Sequence, residues 1–305
     1  MSREPDGAVI LARDLRKSYG ETEALRGIDL RVERGEVFAL LGPNGAGKTT
    51  ATEILAGFRK RTSGEVRVLG RNPARFDRET RARIGIVLQS TGVDPYLTVA
   101  ETVDLYRGFY PAPRLRDELL ELVGLEDEAD ANVARLSGGQ RRRLDVAVAL
   151  AGDPELLFLD EPTTGFDPAA RRSAWEVVAS LADLGKTVFL TTHSMEEAQM
   201  LAHRVAILRD GAIVAEGAPS TLGGRDTGRT TIRFRSDDYS GMPMLGFHQR
   251  PDGTLELSTE EPTWILHELT TWAVARGFML EGLEVHRPTL EDVYLELTGD
   301  EEGPE

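Results

Sequence analysis

Short runs dominated by apolar residues recur through the first two thirds of the chain, at residues 37–41, 84–88, 156–159 and 187–191. Runs of this length, bounded by turn residues and lacking polar alternation, predict strands buried on both faces of a sheet. Residues 8–37 follow a different pattern. Apolar pieces at 9–11, 24–25 and 28–32 are punctuated by Gly20, Gly27 and Gly35, which predicts short antiparallel strands. Residues 65–69 return to strand. From 91 to 152 the spacing becomes mostly helical. Thr98 and Glu101 stand at capping-box spacing, and Val99, Val103, Tyr106 and Tyr110 follow on one helical face, with Pro111 and Pro113 expected to stop it. Leu119, Leu120, Leu122 and Val123 mark a second helix, ended by Gly124, and residues 141–150 a third. A further helix passes through Trp175 and Val178, and Arg209-Asp210-Gly211 joins two strands as a hairpin.

The pattern loosens at residues 218–229, a Gly/Thr/Ser-rich stretch that reads as a linker. Beyond it Ile232 and Phe234, then Leu255 and Leu257, alternate with polar neighbours as strands do. A helix carries Ile265, Leu269 and Trp272, a strand runs near 283–285, and a last helix from near Pro288 carries Leu290, Val293, Tyr294 and Leu297. The expected organisation is an α/β domain over 8–217 with a helical subdomain at about 91–152, a linker over 218–229, and a small α+β domain over 230–300.

The first buried run opens onto Gly42-Pro43-Asn44-Gly45-Ala46-Gly47-Lys48-Thr49-Thr50, and residues 51–55 then read as helix. This is G-x-x-x-x-G-K-[ST] at a strand–loop–helix junction, the context in which the pattern is a phosphate cradle rather than an incidental glycine turn. Glycines let successive N–H groups turn toward phosphate oxygens, and the positive end of the following helix favours the anion. Lys48 suits the β- and γ-phosphates, and the Thr49 hydroxyl suits Mg²⁺. Other strand ends also carry polar groups: Gln89, the adjacent Asp160 and Glu161, and His193. Ligands of open α/β sheets gather at those ends. Adjacent carboxylates there need a partner or a metal. Asp160 suits the ordering of Mg²⁺ and its waters, and Glu161 the acceptance of a proton from an attacking water. Ser137 is a good helix cap in Leu136-Ser137-Gly138-Gly139-Gln140, whose glycines allow close approach of a phosphate. The plainer alternative is a capped helix with a solvated face at Arg141, Arg142 and Arg143. Tyr19, near the end of the first strand, could stack on a purine.

Composition narrows the function classes. With 36 basic and 51 acidic residues the formal net charge is −15, which disfavours a nucleic-acid binder. Residues 230–305 hold 5 arginines and 16 carboxylates, a net of −11, which reads as a solvated surface or, more sharply, as a segment that stays away from anionic lipid. There is no cysteine, which excludes disulfides and thiolate chemistry. No window approaches 18 consecutive apolar residues, and residues 1–6 lack the apolar run of a secretory signal.

In their order along the chain, the phosphate loop, Gln89, the Ser-Gly-Gly-Gln turn, Asp160-Glu161, Asp167 and His193 resemble the ATP-binding subunits of ABC transporters over roughly residues 8–217. Phe166 stands where that family usually has leucine. Residues 287–299 resemble the tail of the daunorubicin-resistance subgroup of bacterial exporters. The resemblance implies a P-loop NTPase (RecA-like) ABC cassette with an antiparallel β subdomain and a helical subdomain, followed by an α+β appendage. It implies Tyr19 on adenine, residues 42–50 on the phosphates, and Thr49, Gln89 and Asp160 at Mg²⁺. Glu161 would polarise water and His193 would hold the γ-phosphate. Ser137, Gly138, Gly139 and Gln140 would meet the ATP of a second copy. It further implies a separate integral membrane subunit, docked just after Gln89 near Tyr96, Tyr106, Phe109 and Tyr110. The location implied is peripheral, on the cytoplasmic face, and the cargo an exported drug, lipid or other hydrophobic compound. Soluble ABC proteins acting on ribosomes or DNA usually fuse two cassettes or insert a long coiled coil, and this sequence shows neither. A GTPase would need an Asn-Lys-x-Asp run, which is also absent.

Overall fold

A computed structural model describes residues 7–88, 92–222, 230–236, 242, 246–250, 252–286 and 289–298. The chain divides into two compact units, Met1–Pro219 and Ser220–Glu305.

In the first unit β1 (Ala8–Tyr19) and β2 (Thr22–Glu33) form one long antiparallel hairpin instead of several short strands. Gly27 explains the difference. It lies inside β2 at φ +97°, and a Cβ there would stand 2.4 Å from Asp14 Oδ1. It therefore marks an irregularity within a strand, as interior glycines do, rather than a turn between strands. The fully buried β3 (Val37–Leu41) opens onto α1 (Lys48–Leu55), and β4 (Ser63–Val68) returns to pair with β1.

After α2 (Arg78–Ala82) and β5 (Ile84–Val87), the helices α3 (Val99–Arg107), α4 (Arg116–Val123) and α5 (Gly138–Leu150) pack on one another. The Thr98–Glu101 box is fully formed, with Glu101 N donating to Thr98 Oγ1 at 3.1 Å and Thr98 N to Glu101 Oε2 at 2.8 Å. Gly124 closes α4 at φ +60°, the left-handed cap for which glycine has no steric penalty. The α3 helix is shorter than its apolar spacing predicts: it ends at Arg107 with Gly108 as cap, leaving Tyr110 outside it. Then come β6 (Leu156–Asp160), α6 (Pro168–Asp183), β7 (Thr187–Thr192), α7 (Met195–Leu201), β8 (Arg204–Arg209) and β9 (Ala212–Gly217).

The central sheet runs β5-β6-β7-β3-β8-β9, parallel except for the β8–β9 hairpin. Its middle is an aromatic stack: Phe38 lies 5.8 Å from Phe189, and Phe158 meets Phe189 edge-on at 5.6 Å. All three are wholly buried, each worth roughly 1.5–3 kcal/mol of transfer free energy. Register pairs Val87 with Leu159, Asp160 with Thr191, and Leu41 with Thr192. The polar residues that follow these strands therefore come out at one edge.

The second unit is an antiparallel sheet, β11-β12-β10-β13, made from β10 (Thr230–Arg235), β11 (His248–Gln249), β12 (Leu255–Thr259) and β13 (Glu281–His286). Ile232, Phe234 and Leu255 pack with Ile265, Leu269 and Trp272 of α8 (Pro262–Arg276), and α9 (Leu290–Thr298) follows. Among the described residues no helix is long and apolar enough to cross a membrane.

Candidate nucleotide-binding site

Between β3 and α1 the chain turns through Gly45 and Gly47 at φ +84° and +109°. Neither Gly42 nor Gly47 could carry a side chain: a Cβ would come to 2.3 Å from Leu208 O and 2.5 Å from Ala24 O respectively. The loop is thus folded by its glycines into a cradle that a larger residue would fill. A cavity of about 290 Å³ lies against it, lined by Ala24, Asn44, Gly45, Gly47, Lys48, Thr49, Thr50 and Glu161. Lys48 is almost wholly buried. Its Nζ donates to Gly42 O at 2.8 Å and Pro43 O at 3.1 Å, and sits 3.2 Å from Glu161 Oε1.

The strand-end carboxylates converge on this loop. Asp160 accepts from Thr49 Oγ1 at 3.4 Å through one oxygen and from Thr191 Oγ1 through the other. Glu161 accepts from Thr164 Oγ1 at 3.1 Å, and His193 Nδ1 lies 3.4 Å from its Oε2. Burial, the largest single influence, raises the Glu161 pKa. The hydrogen bond and charge of Lys48, with Thr164 and His193, outweigh it and hold the carboxyl below the ordinary glutamate value. Glu161 is therefore ionised at neutral pH and aimed at the loop lysine.

Ser137 caps α5, accepting from Gln140 N at 3.2 Å while Ser137 N donates to Gln140 Oε1 at 2.9 Å. Gln140 Nε2 also donates to Glu128 Oε1 at 2.6 Å. Gly138 borders a second cavity of about 530 Å³ together with Asn44, Arg142, Glu161 and Phe166. Tyr19 is partly exposed at the end of β1, with Lys17 Nζ 4.7 Å and Arg59 Cζ 5.3 Å from its ring centroid. It is not among the residues lining either cavity. Gln89 lies outside the described residues.

Sequence reasoning missed three contributors. The solvated arginine face is corrected at Arg142, which is buried: its guanidinium donates to Pro162 O at 3.2 Å, to Asp160 O at 2.8 Å and to Leu88 O. Arg141 is exposed, and Arg143 bonds Val123 O and Gly124 O. Glu197, 1% exposed, accepts from Thr163 Oγ1 at 2.7 Å and Trp175 Nε1 at 3.2 Å. Thr191 receives Glu161 N at both its carbonyl and its hydroxyl. The one available signal was the i, i+3 spacing of Arg142 and Asp145 on the helix.

A glycine cradle opening a helix, with a buried lysine and strand-end carboxylates facing it, defines a P-loop nucleotide triphosphatase. Residues 25–164 match the family model described as ABC transporter, and residues 230–289 match the one described as ABC transporter domain-containing protein-like, C-terminal domain. The chain is 40% identical over 308 residues to a Nod factor export ATP-binding protein I of Paraburkholderia xenovorans, covering 97% of this chain and 99% of that one. It is 38% identical over 311 residues to a daunorubicin resistance ATP-binding protein of Streptomyces coeruleorubidus, with 96% of each covered. A dimeric ATP-binding cassette in a post-hydrolysis state, bound to ADP and Pi, superposes with a TM-score of 0.62 at 29% identity, covering 68% of this chain and 98% of that one. The chain belongs to the ABC transporter ATP-binding proteins, in the exporter subgroup that contains these two relatives, and it is an ATPase that hydrolyses ATP for transport.

Proposed function

We propose that two copies of this chain enclose two ATP molecules on the cytoplasmic face of the membrane and energise export by a separate integral membrane subunit. The observation that carries the reading is the convergence of Lys48 on Glu161 at 3.2 Å and of Thr49 on Asp160 at 3.4 Å. Residues 42–50 hold the phosphates, with Tyr19 as the adenine platform. The Thr49 hydroxyl and the Asp160 carboxylate are hard oxygen donors brought together at one point, which suits Mg²⁺; Gln89 is proposed as a further ligand. When bound, Mg²⁺ would supply positive charge that offsets the negative charge of the phosphates. Ionised Glu161 takes a proton from a water whose oxygen attacks the γ-phosphorus. The bond to the β–γ bridging oxygen breaks, and ADP and phosphate leave. Lys48 and His193 offset charge gathering on the γ-phosphoryl oxygens.

The paired arrangement follows from the presence of one loop and one Ser-Gly-Gly-Gln turn per chain. The first N–H groups of α5, at Gly138 and Gly139, have no intrahelical acceptor and point out of a helix N-terminus suited to an anion. The dimeric cassette bound to ADP and Pi supports a composite site, and the relatives named for export support the direction. For the membrane subunit, a groove of about 990 Å³ is lined by Arg83, Phe109, Tyr110, Ala112 and Glu155 among others. Tyr110 is held there against Gly152, where a Cβ would come to 2.3 Å from its ring. Phe109 and Tyr96 are 62% and 85% exposed. Titrating a fluorescent ATP analogue into the full chain tests the central claim. Lys48→Ala should weaken binding more than ~10-fold, since charge-assisted bonds to phosphate are each worth more than a kilocalorie. Unchanged affinity would remove the site.

A further inference from the structure

Glu161 stands at φ +46°, in the left-handed region that L-residues avoid because Cβ crowds the carbonyl oxygen. Such a conformation persists only when its surroundings over-determine it. From one side, Glu161 N is fixed by Thr191, bonding its carbonyl at 3.0 Å and its hydroxyl at 3.1 Å. From the other, the carbonyls of the residues immediately before and after Glu161 both accept from a single guanidinium. Arg142 Nη2 reaches Asp160 O at 2.8 Å, and Nε reaches Pro162 O at 3.2 Å. The remaining Nη1 bonds Leu88 O, at the end of the neighbouring strand β5. We propose that Arg142 is a positioning residue for ATP hydrolysis, a clamp that keeps the backbone at Glu161 left-handed and so aims its carboxylate.

The chemistry of the side chain fits this task. Guanidinium is planar, and its donors form a rigid fork, so three carbonyls bonded to it form a fixed triangle. Main-chain acceptors carry no charge of their own to place elsewhere; fixing them fixes backbone dihedrals. Arg142 is also two residues beyond Gln140 on α5. The helix that opens with the Ser-Gly-Gly-Gln turn is thereby bonded to the segment carrying Asp160 and Glu161. Of three consecutive arginines only this one is buried; burial pushes its pKa down, and the charge of Asp145, one turn further on and itself buried, opposes that. On the other flank Glu197 holds Thr163.

The proposal rests on Glu161 being the base, so the experiment separates the two. ATP turnover is measured on the full chain for Arg142→Gln, Arg142→Lys, Glu161→Gln and the double variant Arg142→Gln/Glu161→Gln, with nucleotide-analogue affinity and thermal unfolding alongside. For Arg142→Gln, kcat should fall about 10–100-fold, the scale of a misplaced catalytic group, with KM and analogue affinity within about threefold. Arg142→Lys should recover part of kcat, and it decides the matter where the glutamine variant does not fold. The double variant should turn over no more slowly than Glu161→Gln alone, because both changes act through one carboxylate. Wild-type kcat in folded Arg142→Gln and Arg142→Lys, parallel loss of kcat and analogue affinity, or multiplicative losses in the double variant would each overturn the clamp. Near-normal turnover by Glu161→Gln alone would instead remove the base.

Discussion

The two units of this chain handle charge in opposite ways. At the cassette's sheet edge, Asp160, Glu161 and Lys48 are drawn from separate segments and face a cradle that also presents backbone amides. In the second unit, Glu256 binds Arg233, Arg250 at 2.8 Å and His248 at 3.7 Å, and Arg235 binds Asp252 at 3.1 Å. Arg233 and His248 each face Glu256 directly across the antiparallel ladder, while Arg250 and Asp252 lie in the connection between β11 and β12. The difference follows from sheet type. Parallel strands bring all their carboxyl ends to one edge, where side chains from distant segments meet over a helix N-terminus. An antiparallel sheet covered on one face can spread charged side chains across the other, where opposite charges on paired strands meet, as Arg233 and Glu256 do. Charges at the cassette edge should therefore set the rate, and charges on the second sheet should set stability.

The largest effect expected from this contrast is at Glu161. Glu161→Gln keeps the size of the side chain, but its amide cannot accept a proton. General-base assistance is worth ~10²–10⁴-fold, so turnover should fall by that factor while ATP still binds and holds a dimer. Turnover within twofold of wild type, measured by phosphate release, would erase the distinction between the units. Next in size is Ser137→Arg, which adds bulk and charge at the cap of α5 without touching the loop. In a Glu161→Gln background the ATP-dependent dimer should disappear from light scattering, with monomer nucleotide affinity unchanged. Persistence of the dimer would mean that the cap faces no second site.

Which of this was legible in the sequence divides along the same physical line. The Thr98–Glu101 box and the Gly124 cap are local devices, each needing only its neighbours, and Gly42 and Gly47 belong to one contiguous pattern, so sequence alone located them, although the atoms that exclude a Cβ at those two glycines come from distant Leu208 and Ala24. The buried strands were equally plain, because residues 37–41 and 156–159 can only satisfy their surface inside a covered sheet. Arg142 was not legible. Charge places it on a solvated face, and only the carbonyls of residues 88, 160 and 162, brought in from other segments, make burial tolerable. Glu197 is the same case with opposite sign. Strand length also misled, since Gly27 reads as a break but functions within β2.

A smaller effect is expected at the opposite edge of the central sheet. Glu155, just before β6, bonds Arg83 through two nitrogens and Arg34 at 2.7 Å. Those arginines, chiefly Arg83, hold its pKa down at about 2. A depressed carboxylate stabilises the fold fully above its unfolded pKa of ~4.3, and the contribution is lost as pH falls toward about 2. Glu155→Gln should therefore lower the unfolding temperature by a few degrees at pH 7, with the gap to wild type closing between pH ~4.5 and 2. ATP turnover of the isolated chain should not change. A gap that stays constant with pH would show that the pairing contributes nothing.

The smallest effect, and the sharpest test of the contrast, is at Glu256. Its carboxyl is pushed up by burial, yet Arg233 and Arg250 together hold it below the ordinary value. Glu256→Gln leaves both guanidinium groups beside each other without their counter-ion, on a strand whose other face packs the core through Leu255. Exposed and half-exposed pairs of this kind contribute on the order of 1 kcal/mol, less at high salt. The variant should lose about that much stability in a denaturant titration, and adding salt should shrink the difference. Its kcat and KM for ATP should match wild type, because none of the residues proposed for the reaction lies in this sheet. A turnover change larger than about threefold in a fully folded Glu256→Gln protein would place the second unit in the catalytic cycle, and the division of labour between the two sheets would fail.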